Sequence, residues 1–345
     1  MEQIFRQGRD GPEIRPFCTS AEVECRECSE PLERAIVDFG ADTAGGRIPV
    51  KLKEHYGIEV PASTCWQIVL RHARAIQDSP QAAAAEFPDH GGVAQLIVEV
   101  DGSMIPIVET AEGKQEGEMV DRRKTRTVGW KEARLSLARE AGSVTPVFAA
   151  TMGRAEEAGE EMFRCAVRAG AGLKTKMHCV GDGAPWIADQ VDLRFGSQGS
   201  FLVDFYHLCE YLAPAGDRIV GADKNVWMEG QKKLLKENHI HEVLEGLQPF
   251  LEGEEVCDAN APVRVAYRYM TNRPGQFDYR TALNKGLPIG SGEVESAHRY
   301  VIQTRLKLAG AWWKIENARS MLALRVLRAN GEWDHYWRST HREAA

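Results

Sequence analysis

Residues 93–102 read Val-Ala-Gln-Leu-Ile-Val-Glu-Val-Asp-Gly (VAQLIVEVDG). The first eight are mostly β-branched or aliphatic, which predicts a buried β-strand over Val93–Val100. Asp101 follows, just past the carboxyl end of that strand. Because functional groups in α/β sheets gather outside the carboxyl ends of strands, Asp101 is the first candidate for a functional site.

Four more strands are predicted on the carboxyl side of this stretch. Two follow almost directly, at Trp130–Ala141 and Thr145–Met152, and two come later between helices, at Lys174–Val180 and Ser200–Phe205. Consecutive strands favour an antiparallel meander, whereas helix-separated strands favour parallel crossovers. The sequence therefore predicts an α/β fold with a mixed five-stranded sheet and flanking helices.

The remaining segments are predicted from periodicity and from turn residues. Residues 1–46 have little periodicity and are predicted to be irregular, and Arg280–Pro288 is predicted to be a loop. Helical spacing predicts a long helical stretch over Leu208–Tyr267 and an amphipathic helix over Ser291–Leu308. Further helices are expected over Pro49–Tyr56, from Pro61 through Ala73, and over Asn317–Leu327.

Composition places the chain among globular proteins. It has 345 residues, of which 43% are hydrophobic and 27% charged, so a core can form and disorder is not expected. No apolar run approaches the ~18 residues of a membrane span, and the amino terminus lacks a signal-peptide core. We therefore expect no membrane association and a cytoplasmic, nucleoid-associated protein.

The charge is unevenly distributed. The net charge is −7, yet residues 296–345 contain nine Lys or Arg and four Asp or Glu. A basic segment on an acidic protein is compatible with a nucleic-acid partner, although a solvated helical face explains it equally well.

A second acid shares the context of Asp101. Asp182 also follows an apolar strand and precedes a glycine. Two carboxylates on neighbouring strand ends repel each other unless a cation lies between them, and a pair of Mg²⁺ ions is the usual clamp for phosphodiester chemistry. The alternative is that each Asp-Gly pair is simply a turn.

A third acid is expected at the start of the amphipathic helix. Pro288-Ile289-Gly290-Ser291-Gly292-Glu293-Val294-Glu295 leads into it, and a carboxylate in a first helical turn is favoured by the helix dipole. Glu293 and Glu295 flank the apolar stripe on opposite sides. Periodicity therefore does not choose between them.

These motifs occur together in an order that resembles a known family. Val-Asp-Gly-Ser at 100–103, Trp-Lys-Glu at 130–132, Gly-Asp-Gly-Ala-Pro-Trp at 181–186, Asp-Phe-Tyr-His at 204–207 and Gly-Ser-Gly-Glu-Val-Glu at 290–295 follow one another. The pattern resembles bacterial insertion-sequence DDE transposases of the ISKra type, relatives of the Mutator-like transposases. The resemblance covers roughly residues 45–340. It departs from the family at the amino terminus, where relatives often carry a fuller zinc-ribbon-like region.

The resemblance implies a fold, a domain order and a set of catalytic residues. It implies an RNase H-like catalytic domain with a helical insertion before the last acid, and a triad of Asp101, Asp182 and Glu295 that holds two Mg²⁺ ions, for which Mn²⁺ would substitute. The predicted domains are an irregular Cys-containing region (1–46), a helix-turn-helix region (47–90), the RNase H-like core (91–207), the helical insertion (208–287) and C-terminal core helices (288–345).

The predicted activity is metal-dependent DNA cleavage and strand transfer. The partners would be the terminal inverted repeats of the element and the target DNA, and synapsis of two ends implies at least a homodimer on DNA. Two alternatives stay open: a metal-dependent nuclease on the same fold that does not join ends, and a catalytically dead DNA-binding protein that acts as a repressor.

Several residues are predicted to lie close to the catalytic acids. The Asp-x-x-His motif falls on Asp204 and His207, which either position DNA or are structural. His298 and Arg299 share a helix face with Glu295. They would hold a DNA phosphate, or form an intrahelical ion pair with Glu295.

Two segments are candidate DNA contacts. The two helices within 47–76 read as a helix-turn-helix, or as an ordinary helical hairpin, and would present Ser63, Thr64, Gln67 and Arg71 to base edges. Basic residues near the end of the chain would bind phosphates, with paired tryptophans that either stack on bases or pack in the core. These residues are Arg305, Lys307, Lys314 and Arg319 with Trp312 and Trp313; residues 122–126 would give a further contact.

Zinc is the weaker metal hypothesis. Cys18, Cys25 and Cys28 offer three ligands, but a tetrahedral zinc site needs a fourth. Cys65 lies inside a predicted helix, and the sequence supplies no other nearby ligand except His55. We therefore expect Mg²⁺ rather than zinc.

Overall fold

The computed structural model describes residues 5–6, 13–20, 28–79, 86–110 and 126–343. Its centre is a five-stranded sheet of β1 (Gln95–Thr110), β2 (Arg126–Glu140), β3 (Val147–Thr151), β4 (Lys176–Gly181) and β5 (Gly199–Val203). The spatial order is β3-β2-β1-β4-β5. β1, β2 and β3 pair antiparallel, and β4 and β5 extend the sheet in parallel with β1. The predicted α/β fold with a mixed five-stranded sheet is confirmed.

The strand that carries Asp101 is longer than predicted. β1 continues through Asp101 and Gly102 to Thr110, because β2 pairs with it along its whole length from Leu96 to Thr110. The prediction that Asp101 lies past a strand end is therefore wrong. The Asp-Gly pair lies inside a strand, and its pairing partners are remote in sequence.

Helices cover both faces of the sheet. Alternation along β1 sends Leu96, Val98 and Val100 into a core with α4 (Ala155–Arg168) and α5 (Pro185–Phe195). It sends Ile105 and Ile107 into a second core on the opposite face. That second core also contains residues of α1 (Glu30–Asp42), α2 (Ile48–Tyr56), α3 (Ala62–Asp78), α12 (Ile315–Ala329) and α13 (Trp333–Glu343).

A helical insertion with its own core separates β5 from the last acidic motif. It consists of α6 (Phe205–Val220), α7 (Lys224–Lys236), α8 (Ile240–Leu247), α9 (Pro262–Thr271) and α10 (Tyr279–Asn284). Its apolar side chains form a third cluster that includes Leu208, Leu212 and Tyr279. The segment Arg280–Pro288, predicted to be a loop, is helical over its first five residues because α10 contributes Tyr279 and Ala282 to this cluster.

Three further differences concern helices. α1 falls in the segment predicted to be irregular, and it buries Ile36, Val37 and Ala41. The helix predicted over Ser291–Leu308 is interrupted: α11 (Gly292–Ala297) passes into a π-helix at His298–Gln303 and then a turn at Thr304–Leu306. α13 was not predicted. No helix in the described ranges has the length and apolar character needed to span a membrane.

Candidate active site

Asp101 and Asp182 lie at the same level of the sheet, Asp101 within β1 and Asp182 directly after β4. β1 and β4 are parallel, and their register pairs Glu99 with Val180. Asp101 and Asp182 each lie two residues further along. Asp182 follows β4 directly, and its Oδ1 accepts a hydrogen bond from the Ala184 backbone N–H at 2.9 Å.

Gly102 leaves room for the carboxylate of Glu132, whose charge acts on Asp101. The Glu132 carboxylate lies where a Cβ at position 102 would be, so any side chain there would displace it. The Asp101 Oδ1 accepts a hydrogen bond from the Gly102 N–H at 2.7 Å. The glycine of this Asp-Gly pair is thus required for close approach and not for a turn.

Negative charge accumulates around Asp101. Burial, together with the charges of Asp182, Glu132 and Glu295, raises the pKa of Asp101 to about 6, against the opposing effect of the Gly102 hydrogen bond. Like charges disfavour ionisation of a carboxyl group, whereas a cation would favour it. The arrangement therefore has the electrostatic character of a cation site.

His298 is the buried neighbour of Asp101. Its Nε2 lies 3.4 Å from the Asp101 Oδ2, and its side chain is 3% exposed. Burial lowers the pKa of His298 to about 4, so the ring is neutral near pH 7. Neither ring nitrogen meets hydrogen-bond geometry with any described residue. His298 thus supplies no positive charge to offset the carboxylates.

The structure gives Glu293 and Glu295 different surroundings. Glu293 accepts a hydrogen bond from the Arg139 Nε at 2.6 Å in an ion pair. Glu295 is exposed, and its charge acts on Asp101. Arg299 lies 3.8 Å from Glu295, the intrahelical ion pair that was one of the two predicted alternatives. These contacts favour Glu295 as the third acid.

The carboxylates do not form a closed metal site. Across the ranges that the structure describes, no three His, Cys, Asp or Glu side chains are placed to hold a metal ion. For the zinc hypothesis, Cys25 lies outside the described residues, and neither Cys18 nor Cys28 joins such a group. Carboxylate oxygens are the ligands that Mg²⁺ prefers, and it commonly completes its shell with water and substrate phosphate.

Asp204 links two elements around the site. Its Oδ1 accepts hydrogen bonds from the N–H groups of Tyr206 at 2.6 Å and His207 at 3.0 Å, which caps α6. Its Oδ2 accepts from both the N–H and the hydroxyl of Ser291, each at 2.6 Å. Asp204 therefore fixes the Gly-Ser-Gly turn that enters α11.

His207 lies among aromatic side chains of the insertion. Its ring meets Tyr211 at 5.3 Å and Tyr269 at 6.1 Å, and its Nδ1 is 3.5 Å from Glu210. These contacts match the structural interpretation of His207 more closely than a role on DNA.

Sequence reasoning missed Glu99, which supports the helix that carries Glu295. Glu99 is 1% exposed, and its Oε2 accepts a hydrogen bond from the Val294 N–H at 2.8 Å. Burial raises the pKa of Glu99 to about 7. Its position two residues before Asp101, on the same strand face, was the available signal.

Comparison with known proteins assigns the chain to a family. The profile of the Uncharacterised protein family (UPF0236) matches residues 171–343, half of the chain. The chain belongs to the UPF0236 family. The matched part of this UPF0236 protein contains Asp182, Asp204 and Glu295, whereas Asp101 precedes it.

Two relatives are UPF0236 proteins of Caldanaerobacter subterraneus subsp. tengcongensis. Each is 25% identical to this chain over 159 residues, which is 45% of the chain. The matched segment covers 31% of one relative and 30% of the other. The chain thus matches about a third of the length of these relatives.

The amino-terminal helices of this UPF0236 chain expose part of the predicted recognition surface. Ser63, Gln67 and Arg71 are exposed on α3, and Thr64 is half-buried. A groove of about 780 Å³ runs along this face and is lined by Thr64, Gln67 and Arg71. Arg71 forms an ion pair with Glu33 of α1, so its guanidinium is already engaged.

Arg305 corrects one predicted DNA contact. It is 2% exposed, and its Nε donates a hydrogen bond to the Gly40 carbonyl at 2.8 Å. Its guanidinium lies over the rings of Trp313 at 4.7 Å and Trp66 at 5.6 Å. A side chain enclosed in this way does not reach a phosphate, so the prediction that Arg305 binds DNA is wrong.

The paired tryptophans divide between the two predicted roles. Trp313 is 4% exposed and packs in the core, whereas Trp312 is 52% exposed. A parallel β-bridge joins Trp313 to Ile107 of β1. Because successive side chains of an extended segment point to opposite faces, Trp312 lies on the other face of the β1–β2 ribbon from Trp313, alongside Pro106. Trp130 is the β2 partner of Pro106 and is 58% exposed. Two exposed indoles therefore flank Pro106 on one face of the β1–β2 ribbon.

Arg305→Ala and Lys307→Ala are expected to affect different properties: the first should lower stability, and the second should weaken DNA binding. Loss of Arg305 removes a buried hydrogen bond and two cation–π contacts, which should lower the free energy of unfolding by about 2–4 kcal/mol. Lys307 is exposed. Its loss should leave stability unchanged and, if Lys307 contacts a DNA phosphate as the sequence predicts, should weaken DNA binding and reduce the salt-dependence slope by about 0.9. Denaturant melts and binding isotherms at several salt concentrations measure both; equal stability losses would contradict this assignment.

Proposed function

We propose that this UPF0236 protein is a DDE transposase with an RNase H-like catalytic domain, in which Asp101, Asp182 and Glu295 are the catalytic acids. The observation that carries the proposal is the concentration of carboxylates around the half-buried Asp101, where the parallel pairing of β1 and β4 ends. The sheet order β3-β2-β1-β4-β5, with a helical insertion before Glu295, supports the same fold class.

The proposed cofactor is a pair of Mg²⁺ ions, with Mn²⁺ as a substitute. Asp101, Asp182 and Glu295 would hold them, and the raised pKa of Asp101 fits a group that a cation would return to its ionised form. When bound, such ions stabilise the charge that develops on the attacking and leaving oxygens. Since the described residues do not enclose an ion, phosphate oxygens of bound DNA are proposed to complete the shell.

The protein side chains would have separate tasks in this reaction. Asp204 and Ser291 fix the turn before α11, and Glu99 fixes the first turn of that helix, so that Glu295 starts from a defined position. Lys307 would contact DNA phosphates, and the exposed indoles of Trp130 and Trp312 would stack on bases. Two chains would act together to synapse two DNA ends.

A strand-transfer assay tests the function. Duplexes taken from the DNA that flanks the gene are supplied either intact or with a pre-cut 3′-hydroxyl end, together with plasmid target and Mg²⁺. A transposase should nick the intact end and join the pre-cut end to the plasmid. Nicking without joining would indicate a nuclease, and binding without either reaction would indicate a repressor.

Gln67→Ala tests the proposed helix-turn-helix. If Gln67 reads a base edge, its loss should reduce the preference for end DNA over random duplex by about 1–3 kcal/mol. Competition binding at fixed salt measures the preference. Gln248→Ala, at an exposed glutamine of the helical insertion, is the control and should change nothing. An unchanged preference in Gln67→Ala would exclude this residue from base recognition.

A further inference from the structure

The turn that carries Asp182 is held by residues of the helical insertion. The Tyr269 hydroxyl donates a hydrogen bond to the Asp182 backbone carbonyl at 2.6 Å. The Arg273 Nε donates to the next carbonyl, of Gly183, at 2.5 Å. Tyr269 belongs to α9 and Arg273 follows the end of that helix, so both donors lie about ninety residues after the turn in sequence.

The two donors form one rigid unit. Arg273 Nη1 donates to the Tyr269 carbonyl at 2.7 Å, and its guanidinium lies 3.8 Å from the centre of the Tyr269 ring. Tyr269 is 5% exposed and stacks on Tyr211 with ring centres 4.0 Å apart. The hydroxyl and the guanidinium therefore have little freedom to move away from the turn.

Gly183 allows the two donors to come close to the turn. Gly183 has φ +80°, and a Cβ there would lie 2.5 Å from the Tyr269 hydroxyl and 2.8 Å from the Arg273 Nε. Only glycine allows both the left-handed backbone and this close approach. The Asp182 Oδ1 is oriented in turn by the Ala184 N–H.

We propose that Tyr269 and Arg273 are positioning residues that fix the Asp182 carboxylate for the cation and thereby couple the helical insertion to the catalytic sheet. This inference rests on the proposed function. Mg²⁺ demands near-octahedral geometry at short distances, so a small displacement of one carboxylate weakens binding. Partners that orient metal ligands typically change metal affinity or activity 10–100-fold when they are lost.

Two variants separate the hydrogen bonds from packing and from charge. Tyr269→Phe removes only the hydroxyl and keeps the stacked ring. Arg273→Lys keeps the positive charge but loses the planar fork that spans two carbonyls. Two controls match them. Tyr279→Phe changes a buried tyrosine of the same core whose hydroxyl has no hydrogen-bond partner among the described residues. Arg268→Lys changes an arginine that lies within α9, before Arg273.

Hydrogen exchange and cleavage measurements together test the proposal. Tyr269→Phe and Arg273→Lys should each accelerate amide exchange in peptides covering residues 181–186 by at least about tenfold. They should also raise the Mg²⁺ concentration for half-maximal DNA cleavage about tenfold or more. Both controls should match wild type in both measurements.

The outcomes distinguish this proposal from the proposed function. Wild-type exchange at 181–186 in both variants would overturn the positioning role, whatever the activity. Faster exchange with an unchanged Mg²⁺ requirement would also overturn it, because the turn would then be held for stability alone. If the wild-type protein cleaves no DNA, the proposed function fails. Hydrogen exchange then decides the positioning role: Mg²⁺ should slow exchange at residues 181–186 in wild type and should not do so in Tyr269→Phe, and equal protection in both would overturn the role.

Discussion

Asp101→Asn is expected to reduce Mg²⁺-dependent DNA cleavage by about a thousandfold or more while DNA binding is retained. The expected loss corresponds to about 4 kcal/mol of transition-state stabilisation, which is the scale of losing electrostatic stabilisation of developing charge. Binding should persist, because affinity for DNA comes mainly from phosphate contacts elsewhere on the protein. Asp182→Asn and Glu295→Gln should behave in the same way.

Glu293→Gln is the matched control for this series. Glu293 lies two residues before Glu295 but pairs with Arg139 of β2, so its loss should leave cleavage within about threefold of wild type and cost about 1 kcal/mol of stability. Single-turnover cleavage with saturating protein measures the chemical step in all four variants. An active Glu295→Gln protein together with an inactive Glu293→Gln protein would reverse the assignment of the third acid.

The metal-free Asp101→Asn protein is expected to be more stable than wild type above pH 6. The pKa of Asp101 is raised from 3.8 to about 6, chiefly by burial and then by Asp182, Glu132 and Glu295. Folding therefore favours the protonated form, and ionisation destabilises the folded state. Because its side chain is one-third exposed, the full shift overstates the effect, and about 1–2 kcal/mol is expected after solvent screening.

The direction of the pH dependence follows from linkage. Below about pH 4 the carboxyl is protonated in both folded and unfolded chains, so the contribution of Asp101 to stability is fully present. This contribution is lost as the pH rises through about 6. The stability difference between Asp101→Asn and wild type should thus grow from pH 4 to pH 7 and then level off.

Urea denaturation from pH 4 to pH 8, in the presence of a chelator, measures this difference. Asp189→Asn, at an exposed aspartate of α5, serves as the control and should follow the wild-type curve. Added Mg²⁺ should stabilise wild type more than Asp101→Asn by mass action. A pH-independent difference between Asp101→Asn and wild type would show that folding does not raise the pKa of Asp101.

The sheet could be predicted from the sequence because short, local sequence patterns indicate its strands. The aliphatic run at 93–100 predicted β1, and the helix between Lys174–Val180 and Ser200–Phe205 predicted parallel pairing, which the sheet confirms. The length of β1 was not accessible, because Asp101-Gly102 has the composition of a turn. What continues the strand is its pairing with β2, in which Asp101 lies opposite Leu135.

The candidate site was only partly predictable, because its electrostatics depend on residues from distant parts of the chain. Periodicity left Glu293 and Glu295 equivalent, and Arg139, more than 150 residues earlier, distinguishes them. Tyr269 and Arg273 reach the Asp182 turn without any sequence signal.

The environment of Arg305 also arises from tertiary contacts. Arg305 has the composition of a DNA contact, yet Gly40, Trp66 and Trp313 enclose it. By contrast, α1 carried an overlooked local signal, since Leu32, Ile36 and Phe39 are spaced as in an amphipathic helix.

The most direct test of the central claim is Mn²⁺ binding to the protein–DNA complex, measured by electron paramagnetic resonance. Mn²⁺ bound to free DNA is subtracted, and wild type, Asp101→Asn and Glu293→Gln are compared at equal saturation with end DNA. The proposed site predicts two additional Mn²⁺ ions per chain in wild type and in Glu293→Gln. In Asp101→Asn, one or both of these ions should be lost. Equal Mn²⁺ binding by Asp101→Asn and wild type would contradict a metal site built on Asp101.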